Sequence, residues 1–597
     1  MLKRNLAGVL FFAVLFMHST AVAQRREALH VDYTVSVASV EEQLFHVTTD
    51  IKNINEPRLD LALPTWTPGW YTVENYFKNV LRFKITDSKS HRIEPQMVRK
   101  QTWRVETKGL DSIRVEFDYH ATVLALNQAK IAADFAFFTG TELFLEALGH
   151  RASQSTVRFE LPNDWKIVSA LKETSDPMIF TAPDYDTLVD CPTEMGKFDV
   201  TEFRVEGKPH YLVTTPAAAL AKDKAAEFGE MLSKVAGAQS AIFGGLPYDK
   251  YVYYYFFARA ESNAGGALEH LNSHVSFARF PNPDFMIGTA SHEFFHLWNV
   301  KRIRPAEMWP YDYSRENETP MLWVSEGFTN YYGNISLYRA GLRTRERFLQ
   351  SVEGAINGVE GDEARLYISP ANSSVSTWVG YDTPVAFGIS YYTQGQNLGA
   401  LLDLSILHDT NGASRLDDVM RALYREFYQK GRGFTMEDMI GIVNRLTRRD
   451  YHDFYRRYVS GVEVPPYDTI LGYAGYKAQN EARQRPTIGV GLDRTSDGVR
   501  ITRVVADGAA AKAGLRAGDI VLSADGVDLQ KNPQALVAAL GERVGKPVKI
   551  AIKRGAGDQV VELQVGTRSD VSYKISELPN PTPDQVRIRE AWLKTAK

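Results

Sequence analysis

The sequence contains a single cysteine, Cys191, among its 597 residues. One cysteine cannot form an intrachain disulfide, so stability must come from packing and from any bound metal. No second feature marks Cys191 as a nucleophile, and we interpret it as a small buried residue. Beyond the N-terminal segment, no apolar run reaches the ~20 residues that a membrane-spanning helix needs.

An excess of charge of one sign is also absent. Lys and Arg number 69 and Asp and Glu 72, for a formal net charge of -3 at pH 7. A mildly acidic chain gives no electrostatic reason to bind nucleic acid, and we expect no such partner. Hydrophobic residues make up 44% and charged residues 24% of the chain, which excludes a disordered or fibrous class. The length predicts roughly three to five domains.

The N-terminal segment MLKRNLAGVLFFAVLFMHSTAVAQ has the pattern of a secretory signal. A positively charged start precedes an apolar run, and Ala21-Val22-Ala23 supplies small residues for cleavage. We predict that residues 1–23 are a signal peptide and that the protein is exported, to the periplasm or to the outside. The alternative is an uncleaved anchor, but the apolar run is too short to span a bilayer, so we expect no stable membrane insertion.

The patterning predicts a multidomain α+β chain. Residues 24–205 contain short alternating runs such as HVDYTVSV and IRVEFDYH, which indicate a β-rich, sandwich-like N-terminal domain. Residues 206–475 have mostly helical spacing, with one strand at YVYYYFFA. Residues 486–567, with AGDIVLSADG between two strands and a later helix, resemble a PDZ domain. In the tail, residues 568–597, the stretch DQVRIREAWL predicts a short helix that docks back onto the protein.

The stretch HEFFH carries the chemistry of the central domain. On a helix, His292 and His296 share one face, where both rings can bind a zinc ion. Glu293 lies beside them, in position to take a proton from a zinc-bound water. The alternative is a pair of buried histidines with an incidental glutamate.

A third ligand is predicted in LWVSEGFTNYYG. Catalytic zinc with two histidines commonly takes a carboxylate and leaves the fourth position to water. Glu326 lies thirty residues after His296 on the next predicted helix and is our candidate. The alternative is an acid that favours a helix start. Asn330, one turn later, is a candidate hydrogen-bond partner for a ligand histidine.

With these residues in place, the sequence resembles the glycyl aminopeptidase family of zinc metallopeptidases. HEFFHLWNVKRIRP and SEGFTNYY carry the resemblance. It implies a thermolysin-like catalytic domain between the β-rich domain and the PDZ domain. It also implies Zn²⁺ as cofactor, with His292, His296 and Glu326 as ligands and Glu293 as the general base.

The same resemblance identifies candidate substrate-binding residues in GALEH, Gly266 to His270. In related enzymes a similar segment lies along the substrate, and its glutamate, here Glu269, binds the free amino terminus. A carboxylate there pairs with an α-ammonium group; the alternative is a surface acid in a turn. His270 replaces the asparagine of the related pattern. Separately, Glu194 in DCPTEMGKF lies at the junction of the β-rich and catalytic domains and is a candidate second carboxylate for the amino terminus; the alternative is a structural turn.

A donor to the reaction's oxyanion is expected in GISYYTQGQNLG. By resemblance it is Tyr392, three residues before Gly395, with Tyr391 as the second choice and packing as the alternative role. Gln394 stands where several related enzymes have lysine.

We therefore predict an exported zinc aminopeptidase that acts on peptides with a free N-terminus. The resemblance implies a preference for Gly or Ala as first residue. One alternative is an endopeptidase, because the zinc residues are common to both. Another is a binding protein with an inactive peptidase fold, in which the PDZ domain captures peptide C-termini.

Overall fold

The computed structural model describes residues 28–257, 266–380, 388–495, 498–506, 508–529, 540–541 and 543–595. The predicted signal peptide and most of the predicted PDZ helix lie outside these ranges. No helix in the described ranges is both long and apolar enough to cross a membrane. The order of a β-rich domain, a helical domain and a PDZ domain confirms the predicted fold class.

The N-terminal domain is built from three sheets. In its first strand, His30–Ser39, alternate side chains such as Val31, Tyr33 and Val35 are buried, as expected for a strand with one face on the core. The sheets have the following strands in spatial order: Lys172–Glu173, Ile179–Ala182, Ser155–Glu160, His30–Ser39, Leu44–Lys52, Ser112–His120, Val80–Asp87 and Arg92–Ile93; Lys166–Ser169, Thr193–Gly196, Phe135–Phe138, Gln128–Ile131 and Thr122–Ala125; and Glu146–Ala147, Arg58–Ala62, Thr102–Glu106 and Gln96–Arg99.

The catalytic domain begins with a five-stranded mixed sheet. Its strands, in spatial order, are Asp199–Val205, Lys208–Thr215, Tyr251–Phe257, Ser273–Ala278 and Gly266–His270. The three central strands are parallel, and the edge strand Gly266–His270 is antiparallel to its neighbour. Because Asp199–Val205 forms a hairpin with Lys208–Thr215, sheet membership moves the start of this domain to about residue 199, before the predicted 206.

Helices form the rest of the catalytic domain. The motif helix, Pro283–Phe295, starts with Asn282 as its N-cap and Pro283 in the first turn, a favourable start for a helix. The α-helices of this domain are Lys222–Phe243, Pro283–Phe295, Thr329–Arg339, Arg345–Glu360, Pro370–Val375, Thr377–Gly380, Tyr391–Asp409, Leu416–Glu426, Met436–Thr447, His452–Tyr458 and Tyr467–Gly472.

Shorter helical segments complete the described chain. Those of the N-terminal domain are Tyr76–Asn79, Gly140–Leu143 and Tyr185–Val189. The catalytic domain has the 3₁₀ turns Ala306–Met308, Glu363–Leu366 and Tyr428–Lys430, and the π-helical segment Trp323–Phe328. The PDZ domain has Ala509–Lys512.

The PDZ domain has a core of its own, which includes Ile501, Val521 and Ile550. Its sheet contains, in spatial order, Val490–Thr495, Gly498–Val504, Ile520–Ala524, Pro547–Arg554 and Gly557–Gln564, and Val527–Asp528 pairs with Ile520–Ala524. Two strand pairs connect this domain to the helical domain: Arg483–Thr487 with Gly566–Asp570, and Tyr476–Asn480 with Tyr573–Glu577.

The tail ends in a helix, Pro583–Leu593, that packs on the catalytic domain as predicted. Its Trp592 is fully buried, and the indole Nε1 donates a hydrogen bond of 2.8 Å to the hydroxyl of Tyr331. Arg339 donates to the Trp592 carbonyl oxygen at 3.1 Å. The C-terminal helix is therefore part of the catalytic domain's core.

Trp592→Ala should destabilise the catalytic domain by about 3–5 kcal/mol, because it leaves a cavity and removes the indole N–H that donates to the Tyr331 hydroxyl, whose own bond to Asp403 remains. Differential scanning calorimetry would measure the change in melting temperature. The matched control is Arg587→Ala in the same helix, where the half-exposed side chain pairs only with Asp584 at the surface and a change within about 0.5 kcal/mol is expected. Equal melting temperatures for the two variants would contradict this account of the tail.

Candidate active site

Three ligand-type atoms converge between the motif helix and the segment after it. Nε2 of His292 lies 3.0 Å from Nε2 of His296, and Oε2 of Glu326 lies 3.6 Å and 3.1 Å from these two atoms. Ligands bound tetrahedrally to zinc at ~2.0–2.1 Å are separated by about 3.3 Å. The triangle therefore has the size that a tetrahedral metal ion requires.

Hydrogen bonding identifies which ring nitrogen of His296 carries a lone pair. Its Nδ1 lies 2.7 Å from the carbonyl oxygen of Asn299, and since a carbonyl only accepts, Nδ1 must donate. In the neutral ring, Nε2 is then an acceptor that faces other acceptors. The side chain of Asn299 also donates to the carbonyl oxygens of Val324 and Ser325, at 2.8 and 3.1 Å. One residue thus fixes the ring of His296 and ties it to the segment that carries Glu326.

The electrostatics of this cluster favour a cation. Oε2 of Glu326 is buried, and no group in the described ranges donates a hydrogen bond to it. Burial opposes the charged form, but His296 and His292 outweigh it and lower the pKa of Glu326. Burial likewise lowers the pKa of His296, yet the charges of Glu326 and Glu269 outweigh it and raise that pKa to about 10. A point that attracts a proton so strongly also attracts a metal ion, so the residues present fit a divalent metal such as zinc.

Glu326 lies in the π-helical segment Trp323–Phe328 rather than in a regular α-helix. Such segments are rare and frequent at functional sites. Gly327 of this segment touches Gly395 of the next helix: a Cβ at Gly395 would lie 2.0 Å from the carbonyl oxygen of Trp323 and 2.7 Å from the Cα of Gly327. Only glycine allows two backbones to approach this closely.

That contact brings Tyr392, three residues before Gly395, to the metal ligands. The half-buried ring of Tyr392 stacks near His292, with the ring centres 6.1 Å apart. The hydroxyl of Tyr391 is instead hydrogen-bonded to Thr377 at 2.9 Å. Of the two tyrosines, Tyr392 is the one whose ring lies beside the predicted ligand His292.

A second group of ligand-type atoms adjoins the first. Side-chain atoms of Glu269, Glu293 and His296 lie within 4.8 Å of one another. Burial, helped by Glu269 and Glu326, raises the pKa of Glu293 to about 8. Burial also raises the pKa of Glu269, whose Oε1 has no donor. Glu269 thus offers a hydrogen-bond acceptor beside the His292, His296 and Glu326 side chains.

The N-terminal domain covers Glu269. Gly69 of that domain has φ +103°, and a Cβ there would lie 2.6 Å from Oε1 of Glu269. The neighbouring Pro68 carbonyl oxygen accepts a hydrogen bond of 3.0 Å from Lys301, which also pairs with Asp190 at 3.0 Å. Lys301 is buried, so this ion pair joins the two domains beside the site.

The structure brings most, but not all, of the predicted residues together. Gly266 starts the edge strand that carries Glu269, and His270 ends it, with Nδ1 3.0 Å from Asp190. Burial lowers the pKa of His292, and the nearby Asn330 side chain opposes that shift. Among the described residues, Nδ1 of His292 has no hydrogen-bond partner.

Glu194 and Cys191 lie outside both groups of ligand-type side chains in the described ranges. Glu194 accepts a hydrogen bond from Thr215, burial raises its pKa to about 8, and it belongs to neither group of ligand-type side chains in the described ranges. Cys191 is buried, with Sγ 3.7 Å from Oδ1 of Asn272, and burial raises its pKa. Its environment is that of a packing residue.

Sequence reasoning missed several residues of this site. Tyr71 of the N-terminal domain donates a hydrogen bond of 3.1 Å to Oε1 of Glu326. Asp190, Asn299 and Lys301 were not singled out either. Asn299 and Lys301 lie within HEFFHLWNVKRIRP. Their polar side chains, in an otherwise apolar stretch after the second histidine, could have indicated a role beside the ligands.

Family models match three parts of the chain. The N-terminal domain of peptidase M61 matches residues 32–197, the M61 glycyl aminopeptidase model matches residues 285–398, and a PDZ domain matches residues 486–565. The chain belongs to the M61 peptidases. The matched segment of this peptidase includes the motif helix, Glu326 and Tyr392.

Solved structures extend the comparison. The crystal structure of an aminopeptidase N family protein from Idiomarina loihiensis is 23% identical and covers 94% of this chain and 100% of its own, with a TM-score of 0.84; it shows the same fold. An M1 zinc metallopeptidase from Deinococcus radiodurans matches at 16% identity over 74% of this chain and 96% of its own, with a TM-score of 0.46. Yeast LTA4 hydrolase in complex with bestatin matches at 16% identity over 75% of this chain and 71% of its own, with a TM-score of 0.48. Among curated proteins, none matches.

Gly395→Ala should disrupt this peptidase's metal cluster, because the added Cβ pushes the Tyr391–Asp409 helix away from the π-helical segment. Overpacking typically costs about 1–3 kcal/mol, so we expect a lower melting temperature and less zinc bound per chain, measured by elemental analysis. Gly354→Ala is the matched control, since no described atom outside its own helix backbone and chain neighbours lies within 4 Å of its Cβ position. If both variants keep full zinc content and stability, the close contact is not what holds the cluster.

Proposed function

We propose that this peptidase is an exported zinc aminopeptidase. The observation that carries the proposal is the position of Glu269, whose carboxylate lies within 4.8 Å of side-chain atoms of Glu293 and His296. In one residue the amino nitrogen and the carbonyl carbon are about 2.5 Å apart, given the N–Cα and Cα–C bond lengths. A carboxylate that binds the ammonium group this near the metal ligands leaves room for one residue before the scissile bond.

Each residue has a role that its surroundings support. His292, His296 and Glu326 would hold a zinc ion, which would supply Lewis acidity to a water molecule and to the scissile carbonyl. Glu293 accepts the proton of that water and later passes it to the leaving amine. Its carboxylate lies within 4.8 Å of ligand-type atoms of Glu269 and His296, which puts it within reach of a water at the proposed metal ligands.

The other two residues act on the substrate. Glu269 pairs with the α-ammonium group, and Tyr392 donates to the oxyanion that develops as water attacks. A preference for glycine or alanine as first residue is the finer part of the proposal, supported by the glycyl aminopeptidase match. Export is supported by the signal-like residues 1–23. The PDZ domain offers a place for a peptide C-terminus.

Replacement of the base gives the first test. Glu293→Gln removes the proton acceptor but no metal ligand, so turnover of small Gly and Ala peptides should fall by about 10²–10⁴ while zinc content stays at one per chain. Release of free amino acid and elemental analysis measure the two quantities. A zinc-loaded wild type that cleaves no peptide would instead favour the peptide-binding alternative.

Glu269→Gln tests the aminopeptidase assignment. Loss of the buried charge partner should weaken binding of the ammonium group by about 2–5 kcal/mol. The kcat/KM for free peptides should therefore fall by at least tenfold. The N-acetylated peptides should not become better substrates. Glu194→Gln is the control, because Glu194 accepts a hydrogen bond from Thr215 and belongs to neither group of ligand-type side chains in the described ranges. Equal cleavage of free and acetylated peptides by the wild type would point to an endopeptidase.

A further inference from the structure

One loop of the N-terminal domain lies against the metal cluster. We call residues 65–71, TWTPGWY, the site loop. The catalytic domain holds its first half, since the Thr65 hydroxyl donates to the carbonyl oxygen of Tyr313 at 2.9 Å and the Trp66 indole donates to that of Asp312, also at 2.9 Å. Lys301 donates to the Pro68 carbonyl oxygen at 3.0 Å. Three side-chain hydrogen bonds thus fix the loop to the catalytic domain.

The loop ends at Tyr71, which reaches the carboxylate of Glu326. Its side chain is fully buried and its ring packs edge-on against Trp378, at 5.8 Å between ring centres. The hydroxyl donates to Oε1 of Glu326 at 3.1 Å. The other oxygen of Glu326, Oε2, is the one that faces His292 and His296.

The two oxygens of Glu326 therefore have separate partners. A glutamate side chain has several rotatable bonds and, left alone, can present either oxygen or both to a metal ion. A donor on Oε1 favours the rotamer in which Oε2 alone points at the histidines. Hydrogen bonds to ligands of this kind orient them, and their loss typically weakens metal binding about 10–100-fold.

We propose that Tyr71 is a positioning residue for the metal ligand Glu326, so that the N-terminal domain completes the metal site of the catalytic domain. The inference rests on the zinc site of the proposed function. It goes beyond that site because it assigns part of the metal affinity to a domain that supplies no ligand.

Tyr71→Phe in the intact chain tests the inference, because it removes the hydroxyl and keeps the ring against Trp378. Competition with a chelator should show zinc binding about 10–100-fold weaker than in the wild type. In the Co²⁺-substituted protein, the visible absorption bands should shift, because the geometry of the Glu326 carboxylate changes.

Tyr33→Phe is the matched control. Tyr33 is also buried in the same domain, but its hydroxyl donates to the carbonyl oxygen of Leu145 at 2.6 Å, outside the site loop. Its loss should lower stability and leave zinc affinity and the Co²⁺ spectrum unchanged.

The outcomes separate the two proposals. A wild type that binds no zinc overturns the proposed function and this inference together. A wild type that binds zinc, with a Tyr71→Phe variant of equal affinity and spectrum, overturns the inference alone. Equal weakening in Tyr71→Phe and Tyr33→Phe would also overturn it, because the loss would then follow stability rather than the contact with Glu326.

Discussion

The catalytic domain depends on one constraint, which is the close approach of three atoms that carry lone pairs. Nε2 of His292, Nε2 of His296 and Oε2 of Glu326 repel one another unless a cation lies between them. Buried charge without a partner costs several kcal/mol, so the surrounding structure must keep these side chains from turning away. It does so through backbone contact at Gly395 and hydrogen bonds from Asn299.

The same burial gives the neighbouring carboxylates their properties. When Glu293 is ionised, as its role as a base requires, Glu269, Glu293 and Glu326 place three negative charges around a site for one divalent cation. Lys301 adds a positive charge, but Asp190 pairs with it. The remaining negative charge favours a substrate that brings an ammonium group, and N-acetylation removes that group.

Local patterns predicted the elements and the ligand set. Alternation predicted strands such as His30–Ser39, and the i, i+4 spacing of His292 and His296 predicted a shared helix face, because both depend on residues near in sequence. Tyr71 and Glu326 are 255 positions apart, and no periodicity encodes such a contact. Glu194 shows the converse: its place at the domain junction suggested a site residue, but strand pairing turns it toward Thr215.

The metal ligands alone do not make an aminopeptidase, because endopeptidases use the same set. The difference arises where the two domains meet. The site loop brings Gly69 so close to Glu269 that not even a Cβ fits between them, and the buried pair of Lys301 and Asp190 fixes this arrangement. Buried ion pairs contribute little net stability, but they can select one geometry over others. In the proposed aminopeptidase, a chain extended beyond the amino terminus would have to enter the space that this backbone fills, so we infer that a preference for free N-termini would depend on the domain interface.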